Sequence, residues 1–258
     1  MHQQKNKSKL IAIITMCFIL GMISFVTNMA APFGTIWGHK YEWAGMMGNM
    51  MVFAAYLFMG IPAGKMLVKI GYKKTVLAAL IIGIIGLGTQ YLSSIVGANI
   101  QVSTYANQPI ALNLIIYLLG AFICGFCVCM LNTAANPMLN TLGSGGNRGN
   151  QLIQIGGTLS SLVATLTPFF VGLLVGTVSA NTSMSDVTPL LFIGIAVFII
   201  SFLVILRVEI PEPHANKQIK YERSPLAFRH CLLGVLAIFC YVGAEIGSYQ
   251  MANMPSYR

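Results

Sequence analysis

The sequence predicts an all-α membrane protein with seven spanning helices. Two observations set the class. Of 258 residues, 56% are hydrophobic and only 8% charged, against about 25% charged in an ordinary soluble domain. Seven apolar runs reach the roughly 20 residues that a helix needs to cross a bilayer. A third observation, the placement of the cations, sets the orientation.

The first run, 10–31, follows Lys5, Lys7 and Lys9 and ends beside Ala30 and Ala31, as a secretory leader would. It is longer than the ~7–15-residue apolar core of a signal peptide, so it reads as a retained helix. Runs two and three cover 44–68 and 75–96. Within the third, residues 80–87 are apolar without alternation, which a barrel strand would require. Runs four and five, 112–139 and 150–178, exceed one bilayer thickness, so these helices tilt or project. Run six is 189–207 and run seven 228–249.

Thirteen of the 15 Lys and Arg residues fall in the N-terminus or in alternate connections: Lys5, Lys7, Lys9, Lys65, Lys69, Lys73, Lys74, Arg148, Arg207, Lys217, Lys220, Arg223 and Arg229. Lys40 and Arg258 lie on the other side. Cations stay on the cytoplasmic face. The N-terminus is therefore expected inside, in a multi-pass protein whose partner is the lipid bilayer. The net charge of +9 then reports topology and not a nucleic-acid footprint. The expected organisation is a six-helix bundle over 1–208, a cytoplasmic central loop over 209–226, and helix seven with a short tail over 227–258.

Spans one to six hold no Asp, Glu, Lys or Arg at mid-depth, and Glu245 in span seven is the only ionisable group there. A retinal lysine, a voltage-sensing arginine row and a catalytic metal cluster are all missing from the pattern. An enzyme is not expected, nor a metal or other cofactor. Cys124-x-x-Cys127 has redox spacing, but no His or carboxylate accompanies it, and packing is the simpler reading.

The spans instead carry neutral polar groups. Asn28, Asn49 and Gln90 sit on spans one to three. Asn132, Asn136 and Asn140 recur every four residues on span four, so they share one face. Gln151, Gln154, Thr158, Ser161 and Thr165 form a similar stripe on span five. A single amide in lipid is accounted for by a hydrogen bond between helices; two stripes point to a shared aqueous cavity. Amides donate and accept, which suits a neutral, hydroxyl-rich solute. Phe53, Tyr56 and Tyr241 are aromatics that could stack on a sugar ring. The candidate binding set is Asn28, Asn132, Asn136, Gln154 and Tyr241.

Two stretches resemble a known family. Gly64-Lys65-Met66-Leu67-Val68-Lys69-Ile70-Gly71-Tyr72-Lys73-Lys74 resembles the signature loop of the major facilitator superfamily: Gly64, Lys69, Gly71, Lys73 and Lys74 match, and Val68 replaces its Asp. Leu131-Asn132-Thr133-Ala134-Ala135-Asn136-Pro137 is similar to the Leu-Glu-Thr-Ala-Ala-Asn-Pro motif of the fucose/glucose/galactose permeases. Leu142-Gly143, Arg148, Asn150, Ser224-Pro225, Phe228-Arg229-His230 and Tyr241-Val242-Gly243-Ala244-Glu245 extend the likeness. The resemblance implies the N-terminal six-helix half of a major facilitator fold plus linker and helix seven, truncated after it. It also implies transport of a neutral hexose by alternating access in a bacterial inner membrane, as a symport with H+ or Na+. The signature-loop residues would act in gating.

Departures from the family pattern bear on coupling. The family's helix-four Glu is Asn132, and the helix-one Asp of its proton-coupled fucose permease falls on Asn28, four residues before Pro32. An amide exchanges no proton at physiological pH. Coupling then rests on Glu245, on sodium, or is lost to facilitated diffusion. The competing readings are a sugar-binding receptor or scaffold that does not transport, and an inactive fragment of a permease.

Overall fold

A computed structural model of the chain describes residues 2–105, 108–143, 146–176, 182–208, 210 and 227–252. It divides into two units, Met1–Ala215 and Asn216–Arg258. The second contains one described helix, α8 (Arg229–Ala252), whose stretch Arg229–Ala244 is apolar. Almost all of the expected central loop lies outside the described residues.

The first unit is a bundle of six helices long and apolar enough to cross a membrane. Its first span consists of α1 (His2–Asn28) and α2 (Ala30–Lys40), separated only by Met29. Pro32 explains the break: it has no N–H to offer the carbonyl of Asn28, four residues earlier. Then follow α3 (Met47–Ile70), α4 (Tyr72–Ile95), α5 (Leu112–Leu142), α6 (Gly146–Val175) and α7 (Thr188–Arg207). Pro62, Pro137 and Pro168 lie inside α3, α5 and α6, which run through them unbroken, each short of one backbone hydrogen bond. In α4 there is no proline, and that of α7 sits in its first turn, where no backbone donor is lost.

The helices turn back where the sequence supplies special chemistry. Between α3 and α4 the chain reverses at Gly71, with φ +86°, a conformation that costs a residue with a Cβ far more. The Gly71 carbonyl accepts from the Thr75 hydroxyl at 2.7 Å and from its N–H at 3.2 Å, starting α4. Hydroxyls deeper in the spans are satisfied similarly: Thr15, Thr27, Thr133 and Thr167 each donate to the carbonyl four residues back. Lipid offers no alternative partner.

One element goes beyond the sequence reading. Residues 101–111, taken only as a connection, form an antiparallel hairpin of β1 (Gln101–Tyr105) and β2 (Gln108–Ala111). Short segments of β-formers such as Val102, Thr104 and Ile110 need a surface to hold them. Tyr41 provides it: its hydroxyl donates to the Pro109 carbonyl at 3.0 Å and accepts from the Ala111 N–H at 3.2 Å. Trp37, Tyr41, Trp43 and Tyr105 form a chain of ring contacts at this end of the bundle. The Lys40 ammonium lies 5.6 Å from the ring centres of Trp37 and Tyr41.

The middle of the bundle is α5, which packs on α4, α3, α1 and α6. Small residues let these backbones approach, as membrane helices require. A methyl group at Gly86 of α4 would lie 2.7 Å from Cys124 Sγ and 2.8 Å from the Cys124 nitrogen. At Gly125, on the side of α5 that meets α3, it would lie 2.6 Å from both Ala55 Cβ and the Val52 carbonyl. Cys127 faces Gly83 in the same seam. The Cys124-x-x-Cys127 pair is therefore a packing feature.

This seam yields a stability test. Gly86→Ala is expected to push α4 from α5 and cost about 1–3 kcal/mol, the usual range for overpacking. Gly88→Ala, where an added methyl meets nothing within 4 Å, is expected to leave stability unchanged or raise it slightly. Thermal unfolding in detergent measures both; equal midpoints would dismiss the close approach.

Candidate functional site

The candidate solute site starts from the face of α5 that carries Asn132 and Asn136. Asn132 is half-buried, and its Nδ2 donates to the Tyr56 hydroxyl of α3 at 2.9 Å. The Tyr56 ring lies 6.2 Å from that of Phe53, one turn earlier on α3. Asn136, one turn along from Asn132, is exposed. Pro137 follows it and removes the N–H that would have met the Thr133 carbonyl. Amide, phenol and aromatic ring thus come together where α3 and α5 pack. The Asn132 amide oxygen and both halves of the Asn136 amide can serve solute hydroxyls.

The other expected residues distribute unevenly. Asn28 is half-buried at the end of α1, where its Nδ2 donates to the Ser24 carbonyl at 2.8 Å. Gln154 is exposed on α6, and the Thr158 and Thr165 hydroxyls of its stripe bond carbonyls of their own helix at 2.9 and 3.0 Å. Both α1 and α6 pack on α5. Gln90, by contrast, is buried inside the bundle, its Nε2 3.9 Å from Cys124 Sγ. Tyr241 is exposed on α8. Glu245 falls within α8, but its side chain lies outside the described residues. The role of the Tyr56 hydroxyl was missed, since the sequence offered that residue only as a stacking ring.

The signature-loop residues gather at the basic end of the bundle. Gly64 and Lys69 lie in the last turns of α3, with Lys69 exposed, and Gly71 makes the reversal. Lys73 and Lys74 open α4 and behave differently. Lys73 Nζ donates to the Leu206 carbonyl at 3.0 Å and the Val208 carbonyl at 2.9 Å. These are carbonyls at the end of α7, where the helix presents its negative pole and no intrahelical donor remains. Lys74 is exposed. The loop thus ties the α3–α4 turn to the end of α7 through one cation.

The six-helix bundle has a polar face on its central helix and a basic reversal between its second and third spans. No protein-family profile matches the chain. The fold matches a crystal structure of the Escherichia coli fucose:proton symporter FucP with a TM-score of 0.66 at 20% identity, over 92% of this chain and 60% of that one. The glucose/galactose transporter of Brucella abortus is 26% identical over 252 residues, covering 94% of this chain and 57% of that protein. A putative glucose/galactose transporter of Helicobacter pylori is 28% identical over 272 residues, covering 98% and 61%. The chain resembles these sugar transporters in sequence and spans about three-fifths of their length.

The two lysines separate experimentally. Lys73→Ala frees α7 carbonyls and is expected to lower the unfolding midpoint by several degrees, reflecting about 1 kcal/mol for a charge-assisted bond partly open to solvent. Lys74→Ala is expected to change it by less than the scatter of replicate scans. Equal effects would show that Lys73 acts as charge alone.

Proposed function

We propose that this chain takes part in carrying a neutral hexose across a membrane by alternating access. The observation that supports it most is the Asn132–Tyr56 hydrogen bond beside the exposed Asn136. It sets amide donors and acceptors next to an aromatic face in a bundle with no described carboxylate or cation at depth. Such a lining matches sugar hydroxyls and offers an anion no counter-charge. Asn28 and Gln154 would extend this lining from α1 and α6. The relatives in Brucella abortus and Helicobacter pylori, named as transporters of glucose and galactose, agree with a hexose.

Coupling is assigned to Glu245. An ionisable group in a span is functional by default, and the amides at 28 and 132 cannot carry a proton. Lys69, Lys73 and Lys74 would hold the cytoplasmic ends of the helices in one access state. The organisation that goes with this reading is a bundle over 1–208, a cytoplasmic loop over 209–226 and the start of a further helical unit over 227–258, in a bacterial inner membrane.

Binding of glucose, galactose and fucose to the purified chain, read by calorimetry, tests the site. Neutral hexoses are expected to bind and gluconate is not. Asn136→Leu is expected to abolish binding with membrane insertion intact; unchanged binding would reduce Asn136 to packing. Exchange of labelled sugar across vesicles separates a carrier from a receptor, which would bind without exchange. Glu245→Gln keeps the shape but releases no proton. It is expected to retain exchange and to lose accumulation against a gradient; accumulation by this variant would remove Glu245 from coupling.

A further inference from the structure

Between α1, α6 and α7 the bundle leaves a groove of about 380 Å³. Phe18, Met22 and Phe25 line it from α1, at spacings of four and three that place them on one face. Val163 and Phe170 stand on the α6 side, with Ile193 and Val197 on the α7 side. Every lining residue is apolar. The groove arises because α6 and α7 both pack against α1 while touching each other only sparsely.

Something must fill this space. Water finds no hydrogen-bond partner there, and an empty groove forfeits dispersion contacts along its whole lining. The medium around six bilayer-spanning helices is hydrocarbon. The dimensions narrow the choice further. Leu174 and Leu190 place one end of the groove beside the connection between α6 and α7, and Val197 lies deeper. Along α6 the lining runs from Leu159 to Leu174, a rise of about 22 Å, roughly three-quarters of a ~30 Å hydrocarbon core. Spread over that length, the groove is roughly 7 Å across, too narrow for a helix about 10 Å in diameter. A single extended hydrocarbon chain fits in both length and width.

We propose that this groove binds one acyl chain of a membrane lipid. The chain lies along α1 between α6 and α7, with one end beside their connection. It wedges two helices that make little contact of their own.

A phosphatidylcholine with a photoreactive diazirine in its acyl chain, reconstituted with the 258-residue chain in phospholipid vesicles, tests this. Adducts are mapped by mass spectrometry after illumination. Labelling is expected several-fold higher at Phe18, Val163 and Phe170 than at Ile81 and Ile85 of α4. Phe170 is 48% exposed, and the α4 pair 48% and 54%, so exposure alone predicts equal labelling. Ile193→Trp and, separately, Val197→Phe narrow the groove and are expected to lower labelling there while leaving α4 labelling unchanged. Ile85→Trp serves as the control for added bulk. Uniform labelling of all bilayer-facing residues, or groove labelling indifferent to both narrowing variants, would overturn the proposal. A variant that misfolds alters the α4 pattern as well and is recognised by it, which leaves the comparison within the unaltered chain decisive.

Discussion

The bundle depends on how closely α5 approaches its neighbours. Lipid tails are as apolar as leucine, so no hydrophobic force presses membrane helices together, and contact must come from packing. Glycines and cysteines supply that contact on two sides of α5: Gly86 against Cys124 toward α4, and Gly125 against Ala55 and Val52 toward α3. The polar pair follows from this geometry. Asn132 reaches the Tyr56 hydroxyl at 2.9 Å because α3 and α5 lie within side-chain reach. Bulkier residues in the seam would widen that gap.

Six of the seven expected spans, the fold class and the basic turn were legible because each rests on a local signal; among the described residues the seventh run shows only a shorter apolar stretch, Arg229–Ala244. Run length identifies a bilayer helix, a positive-φ glycine marks a reversal, and asparagines four apart share a face. The hairpin was not legible. Its strands are short and exposed, and they are held by Tyr41, some 70 residues away in sequence. The site was read in part. The spacing of Asn132 and Asn136 gave their common helix, but nothing along the chain pairs residue 132 with residue 56. Gln90 looked like another member of the polar lining, yet it faces Cys124 inside the bundle. On a helix with a nearly uniform apolar surface, periodicity does not show which side meets a neighbour.

The two lysines after Gly71 show the same limit from the other direction. Adjacent identical residues on a helix point about 100° apart, so one meets the end of α7 and the other meets solvent. A motif written as two basic residues hides this division between a capping group and a surface charge.

The four prolines divide the bundle mechanically. Pro32, Pro62, Pro137 and Pro168 sit in the first span, α3, α5 and α6, while α4 and α7 run without an interior proline. Each proline deletes one rung of the backbone ladder, so bending there breaks no bond that is not already missing. The expected binding residues lie near these weak points: Asn28 four residues before Pro32, Asn136 beside Pro137. The two helices without an interior proline are joined at the basic end by Lys73, which opens α4 and holds the last carbonyls of α7. The bundle therefore has four compliant members and a two-membered stay, and the groups that would grip a solute ride on the compliant ones.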